Sequence, residues 1–217
     1  MRVKAIFFDL DGTLIDSIPF HKKSFQLLFQ KFGQRLPERE ISRYIRWSTD
    51  EIYHKLRVKQ RLRLDLEKFL ELRRQEYYSL IRGKKMVFKD RVSLLKKLRK
   101  RFKLALVTNS SIHTTKRSTP DSLLCLFDKI VTFSDVLRGK PAPDMLFLAC
   151  RKLRVKPSEC IMIGDSVVDI KAAHASRMPA IGWHCRTAAS TLADLKKEKP
   201  LRIVHSAKEL GLFLSNA

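Results

Sequence analysis

Short apolar runs alternate with amphipathic stretches along most of this chain, and that alternation limits the folds open to it more than any other feature. Val3–Phe8, Lys103–Val107, Ile130–Thr132, Cys160–Ile163, Ala180–Trp183 and Arg202–Val204 read as strands. Between them, Val92–Arg101, Asp144–Leu153, Val167–Ser176 and Ser206–Phe213 carry helical patterns. Such alternation predicts a parallel sheet covered on both faces, with right-handed crossovers and a site at the carboxyl ends of the strands.

Residues 16–88 break the pattern, with helical periodicity and almost no strand signal. His21–Gly33 places Phe25, Leu28, Phe29 and Phe32 at helical spacing, and Asp65–Ile81 does the same with Leu66, Phe69, Leu70, Tyr77 and Leu80. Pro37, Ser48 and Gly83 mark breaks. The expected architecture is α/β: a Rossmann-like parallel-sheet core from about 1–15 and 89–217, with an all-helical cap inserted at 16–88 over the strand ends.

The stretch AIFFDLDGTLIDS (Ala5–Ser17) sets Asp9 and Asp11 straight after the first strand. A buried strand followed by a polar turn reads this way in many α/β proteins. The second carboxylate argues for more. Alternation along an extended chain puts both on one side, where like charges repel and lose hydration. A divalent cation is the simplest offset, since Mg²⁺ takes one or two carboxylates with water and phosphate oxygens.

Further polar groups fall at other predicted strand ends: Thr108-Asn109-Ser110, Lys140 in GKPAPD, and Asp165 and Asp169 in GDSVVDI. Singly, these read as a helix cap, a solvated lysine, a turn and a surface residue. Together with the paired aspartates they form a set able to perform phosphoryl transfer. Asp9 can attack an electrophile, and Asp11 can give and later take a proton. Thr108 and the Asn109 amide can hold phosphoryl oxygens, Lys140 can neutralise charge, and Asp165 and Asp169 offer oxygens to a hard cation.

These motifs, FDLDGTLIDS, VTNSS, RGKPAPD and IGDSVVDIKAA, resemble those of the haloacid dehalogenase-like hydrolases over essentially the whole chain. The likeness is strongest to the helical-cap branch that includes phosphoglycolate phosphatase and β-phosphoglucomutase. The resemblance implies an aspartyl-phosphate on Asp9 and acid/base work by Asp11. It implies Mg²⁺ held by the Asp9 side chain, the Asp11 backbone carbonyl and Asp165, with Asp169 supporting it. Thr108 and Lys140 match the family's phosphate-binding positions. The dehalogenases lack a second aspartate in the first motif, so Asp11 favours phosphate chemistry. A mutase of this branch would carry an extra cap arginine near position 50, where this chain has Asp50, and that argues against a mutase. His21 matches a hinge position able to approach the site, although a surface histidine reads the same way. Arg46, and Arg43 beside it, are the candidate substrate contacts in the cap. Ser176-Arg177 stands where the family often has Ala-Gly, so that turn is expected to be strained or rebuilt.

Composition bounds the rest. The apolar fraction of 44% in 217 residues suffices for a core, and no apolar run approaches a membrane span. Four cysteines without a CxxC pair suggest a reduced, cytoplasmic protein. The net charge of +23 allows attraction to nucleic acid or an acidic protein, but a solvated helix face explains it as well. The favoured expectation is a Mg²⁺-dependent phosphatase of a small phosphorylated metabolite, monomeric or dimeric. The alternatives are a sugar-phosphate mutase, or a nucleotide- or nucleic-acid-directed phosphatase or binding protein using the basic surface.

Overall fold

The computed structural model describes residues 3–45, 49–59 and 64–215. Six parallel strands form one sheet: β1 (Ala5–Phe8), β2 (Lys103–Thr108), β3 (Lys129–Thr132), β4 (Cys160–Gly164), β5 (Ala180–Trp183) and β6 (Arg202–Val204), in the order β3-β2-β1-β4-β5-β6. β1 lies at the centre, with Phe8 in register with Leu106 on one side and Ile163 on the other. Every residue of β1 and β4 is buried, as expected of strands covered on both faces. The chain runs outward from β1 to β3, then returns to β4 on the other flank. This reversal opens a crevice at the carboxyl ends of the central strands.

Four helices follow β1: α1 (Ile18–Lys31), α2 (Glu38–Tyr44), α3 (Thr49–Lys59) and α4 (Leu66–Ile81). They enclose a core of their own around Phe25, Leu28, Phe29, Ile52, Tyr53 and Phe69. Tyr77 and Ile81, at the end of α4, pack instead with the sheet residues. Both chain crossings into this block lie side by side: Asp16 N–H donates to Met86 O at 2.8 Å and Phe88 N–H to Leu14 O at 3.2 Å.

The remaining helices are α5 (Lys89–Leu98), α6 (Ile112–Ser118), α7 (Asp121–Leu124), α8 (Asp144–Leu153), α9 (Val167–Ala175), α10 (Leu192–Lys197) and α11 (Ala207–Ser215). Side chains alternate between the faces of each strand. Ile6, Phe8, Leu104, Leu106, Ile161 and Ile163 pack with the apolar sides of α5 and α11. Ala5, Phe7, Ala105, Val107, Cys160 and Met162 pack with α8 and α9.

The turn after α9, expected to be strained or rebuilt, keeps a left-handed residue and is strained. Arg177 takes a left-handed conformation at φ +57°, and Met178 N–H closes onto Ala173 O at 2.8 Å. A β-carbon is strained there, so Arg177→Gly should stabilise the protein by about 1 kcal/mol in urea unfolding.

Candidate active site

β1 ends where its backbone still pairs: Asp9 N–H donates to Ile163 O at 2.9 Å. The Asp9 side chain therefore projects into the crevice at the sheet's carboxyl edge. Lys140 meets it there. Its ammonium donates to Asp9 Oδ1 at 2.6 Å, Asp169 Oδ1 at 2.6 Å and Val107 O at 2.9 Å, which uses all three of its hydrogens. Lys140 is 1% exposed. Burial works against its charge, but the two carboxylates outweigh burial and hold its pKa above the ordinary lysine value.

Asn109 fixes the lysine's main chain. Its side chain donates to Lys140 O and accepts from Lys140 N–H, both at 2.8 Å. That leaves the main-chain N–H of Asn109 and the second hydrogen of its Nδ2 without a partner among these bonds. Thr108, at the end of β2, turns its hydroxyl toward Asp11 Oδ2 at 3.5 Å, and Ser110 donates to the same oxygen at 2.7 Å.

Asp11 is the most heavily hydrogen-bonded carboxylate of the group. Its Oδ1 accepts from Ser17 at 2.6 Å and lies 3.0 Å from His21 Nε2. Burial raises its pKa, but His21 and the hydroxyls outweigh burial and push it well below the usual carboxylate range. His21 itself is pushed down by burial, which together with Arg73 outweighs the opposing pull of Asp11, so near neutral pH it acts on Asp11 as a neutral N–H donor. The buried Arg73 guanidinium, on α4, contacts His21 Nδ1 through Nη2. Arginine only donates, so Nδ1 is the acceptor and Nε2 carries the proton. Tyr77 stacks on the imidazole at 4.1 Å between ring centres. Arg73→Met should release the ring and lower kcat roughly tenfold while leaving KM nearly unchanged, measured by steady-state phosphate release.

Asp165 is fully buried after β4. Thr13 Oγ1 donates to its Oδ1 at 2.8 Å and Ala189 N–H to its Oδ2 at 2.5 Å. Asp169 caps α9, with one oxygen on Ser166 N–H at 3.1 Å and the other on Lys140. Two glycines make room for these acids. A β-carbon at Gly12, which sits at φ +85°, would collide with the Asp165 carboxylate, and one at Gly164 would collide with that of Asp169.

Oxygens of Asp9, Asp165 and Asp169 can lie within 4.8 Å of one another. Asp11 lies nearby, and Lys140 pairs with two of the four carboxylates, Asp9 and Asp169. Burial raises the pKa of Asp9, and burial with the Asp169 charge raises that of Asp165 to about 7. A buried, oxygen-only, acid-rich cluster fits a hard divalent cation such as Mg²⁺. A carboxyl with a folded pKa above its unfolded value binds its proton more tightly when folded. In metal-free protein it therefore loses stability as pH rises from about 4 to about 7. His21, with a lowered folded pKa, contributes in the opposite sense, so the Mg²⁺-dependent difference isolates the carboxylates. The increase in melting temperature on replacing EDTA with Mg²⁺ should grow between about pH 5 and about pH 8, and it should vanish in Asp165→Asn.

These groups line the floor of a cleft of about 300 Å³, which Ile18, Phe25, Ile52, Leu70, Arg73 and Arg74 line from the helical block. Asp9, Asp11, Thr108, Asn109, Lys140, Asp169 and His21 all reach the cleft, whereas Asp165 does not line it and has its carboxylate against Gly12. Arg46 lies outside the described residues, as does the side chain of Arg43. Asp50 lines the cleft. The sequence names Ser110 only as part of Thr108-Asn109-Ser110, with no role of its own, and it does not point to Arg73, Ser17 or Thr13. Arg73 had a signal, because it interrupts the buried stripe Phe69–Arg73–Tyr77 at spacings of four. Ser17 and Thr13 are common hydroxyl residues with none.

The family model for haloacid dehalogenase-like hydrolases matches residues 3–177. Among curated proteins, a phosphoglycolate phosphatase of Psychrobacter arcticus is 32% identical over 207 residues, covering 84% of each chain. The pyrophosphatase PpaX of Oceanobacillus iheyensis is 26% identical over 187 residues, covering 84% of this chain and 85% of its own. Among solved structures, a hydrolase from Pseudomonas syringae superposes with a TM-score of 0.85 at 24% identity, covering 98% of both chains.

Proposed function

The chain belongs to the haloacid dehalogenase-like hydrolases and is a phosphatase, and we propose that it is Mg²⁺-dependent and hydrolyses a small phosphorylated metabolite through a phosphoryl-Asp9 intermediate. The observation that carries this reading is the buried Asp9–Lys140–Asp169 chain beside Asp11, at the floor of a cleft roofed by helices.

Lys140 holds Asp9 Oδ1, so Oδ2 is the oxygen that attacks phosphorus. The Thr108 hydroxyl and the Asn109 main-chain N–H face the phosphoryl oxygens. A phosphoryl group drawing on Thr108 and Ser110 takes donors away from Asp11 Oδ2, which raises the proton affinity of Asp11 for its turn as general acid. The P–O bond to the leaving group breaks as Asp11 gives that oxygen its proton. Asp11, ionised again, then takes a proton from water, whose oxygen attacks phosphorus and frees Asp9 as phosphate leaves. Asp9, Asp165 and the Asp11 carbonyl would hold Mg²⁺, with Asp169 behind them. When bound, Mg²⁺ would supply positive charge that offsets the repulsion between an anionic nucleophile and an anionic substrate. Residues 16–88 act as the cap that excludes bulk water.

The test is phosphate release from a panel of phosphoglycolate, pyrophosphate, hexose phosphates and nucleoside monophosphates, with Mg²⁺ or with EDTA. Mg²⁺-dependent turnover of at least one small substrate supports the reading. Phosphoryl retention with a bisphosphate requirement would overturn it in favour of a mutase.

A further inference from the structure

The active site does not use the chain's most one-sided charge. From Arg82 to Lys103, eleven of 22 residues are Lys or Arg and one, Asp90, is acidic. This tenth of the chain thus carries ten of its 23 net positive charges. Arg91 is internal: it is buried against the Phe88 and Trp183 rings and pairs with Asp90. The other ten basic residues are exposed, and among the described residues none of them has a carboxylate in ion-pair reach.

We propose that this strip is a docking surface for the phosphate backbone of a nucleic acid, a function separate from small-substrate hydrolysis. Three observations choose this partner. First, the apolar residues of the segment, Leu94, Leu95, Leu98 and Phe102, turn inward into the sheet core, and no large apolar side chain is exposed between 82 and 103. A protein partner would find no apolar centre to bury, and a bilayer nothing to take up. Second, Lys89, Lys96, Lys97 and Lys100 recur at near-helical intervals on α5 and the turn after it, so the cations form a row rather than a point. A row suits a polymer of regularly spaced charge. Third, the strip leads away from the cleft. α5 starts beside the crossing at Leu14–Phe88, and the segment ends where β2 begins, at the strand edge opposite Asp9 and Thr108. A polymer held there leaves the cleft open.

The test measures fluorescence anisotropy of labelled single- and double-stranded oligonucleotides of arbitrary sequence with the full chain, over a salt series. The strip variant is Lys96→Gln/Lys97→Gln/Lys100→Gln. The control, Lys196→Gln/Lys197→Gln/Lys199→Gln, removes the same charge from exposed lysines around the end of α10. The strip variant should bind at least about tenfold more weakly at low salt, and the slope of log K against log salt should flatten by about 2–3. The control should retain most of the wild-type affinity. Both variants should keep wild-type melting curves and phosphate release, and excess oligonucleotide should not inhibit hydrolysis of a small substrate. Equal weakening of strip and control variants would overturn the proposal, leaving net charge alone as the cause. Absence of salt-dependent binding, or equally tight binding of polyglutamate or anionic vesicles, would overturn it too.

Discussion

Asp9→Asn should release no measurable phosphate from any substrate the wild type hydrolyses, a loss of at least roughly 10⁴-fold in kcat. The carboxamide keeps the size and position of the carboxylate but has no anionic oxygen to attack phosphorus. Substrate binding should persist, because Thr108, the Asn109 main chain and Lys140 are untouched. Folding should persist as well. Asp9 is buried beside three other acids, and burial has already raised its pKa, so removing its charge relieves repulsion while Lys140 keeps Asp169. The expected result is an inactive protein whose metal-free melting temperature is no lower than the wild type's. A variant that unfolds, or that retains activity, would contradict this account of the residue.

Lys140→Met should show the reverse balance, losing both activity and stability. The ammonium is 1% exposed and is the cation bridging Asp9 and Asp169. Its removal leaves two buried carboxylates facing each other across a methylene chain. Breaking a buried pair from one side costs about 3–5 kcal/mol. At about 2–4 °C per kcal/mol for a chain of this size, the melting temperature should fall by roughly 6–20 °C. Mg²⁺ should restore part of the stability without restoring turnover. Adding Asp169→Asn to Lys140→Met should also recover stability, and a double-mutant cycle measures that coupling. A neutral effect of Lys140→Met on melting would mean that the buried pair does not hold the site together.

Sequence and structure agree most closely where physics leaves least choice. The central strands are buried on both faces, so they read as continuous apolar runs, and Ala180–Trp183 and Arg202–Val204 have the expected bounds. Asp144–Leu153 was legible because its apolar stripe is strong. By contrast, α3 is crowded with charge and α6, α7 and α10 are short, so their periodicity never rose above their polar content. α5 begins three residues before the expected Val92, because Lys89 and Asp90 form a polar first turn outside the stripe.

The residues of the candidate site were legible as types at strand ends, and their division of labour was not. Asn109 reads as a phosphate contact, and its side chain also fixes the Lys140 main chain, a second task the sequence did not indicate. Asp169 reads as a cation ligand, and its oxygens also hold Lys140 and the Ser166 N–H, which the sequence did not indicate. Arg73 is marked in the sequence only as a charge within a buried stripe; its partner, His21, lies 52 positions away on another helix. Pairings of that kind follow from packing, which periodicity does not encode.

An acid quench of the enzyme during turnover of its best substrate, followed by peptide mass analysis, traps a phosphoryl-enzyme directly. The account predicts a single phosphoryl group on the peptide Ala5–Lys22, located at Asp9 and absent from Asp9→Asn. Rapid phosphate release with no phosphoryl group on that peptide at any quench time, or one located at another residue, would contradict it.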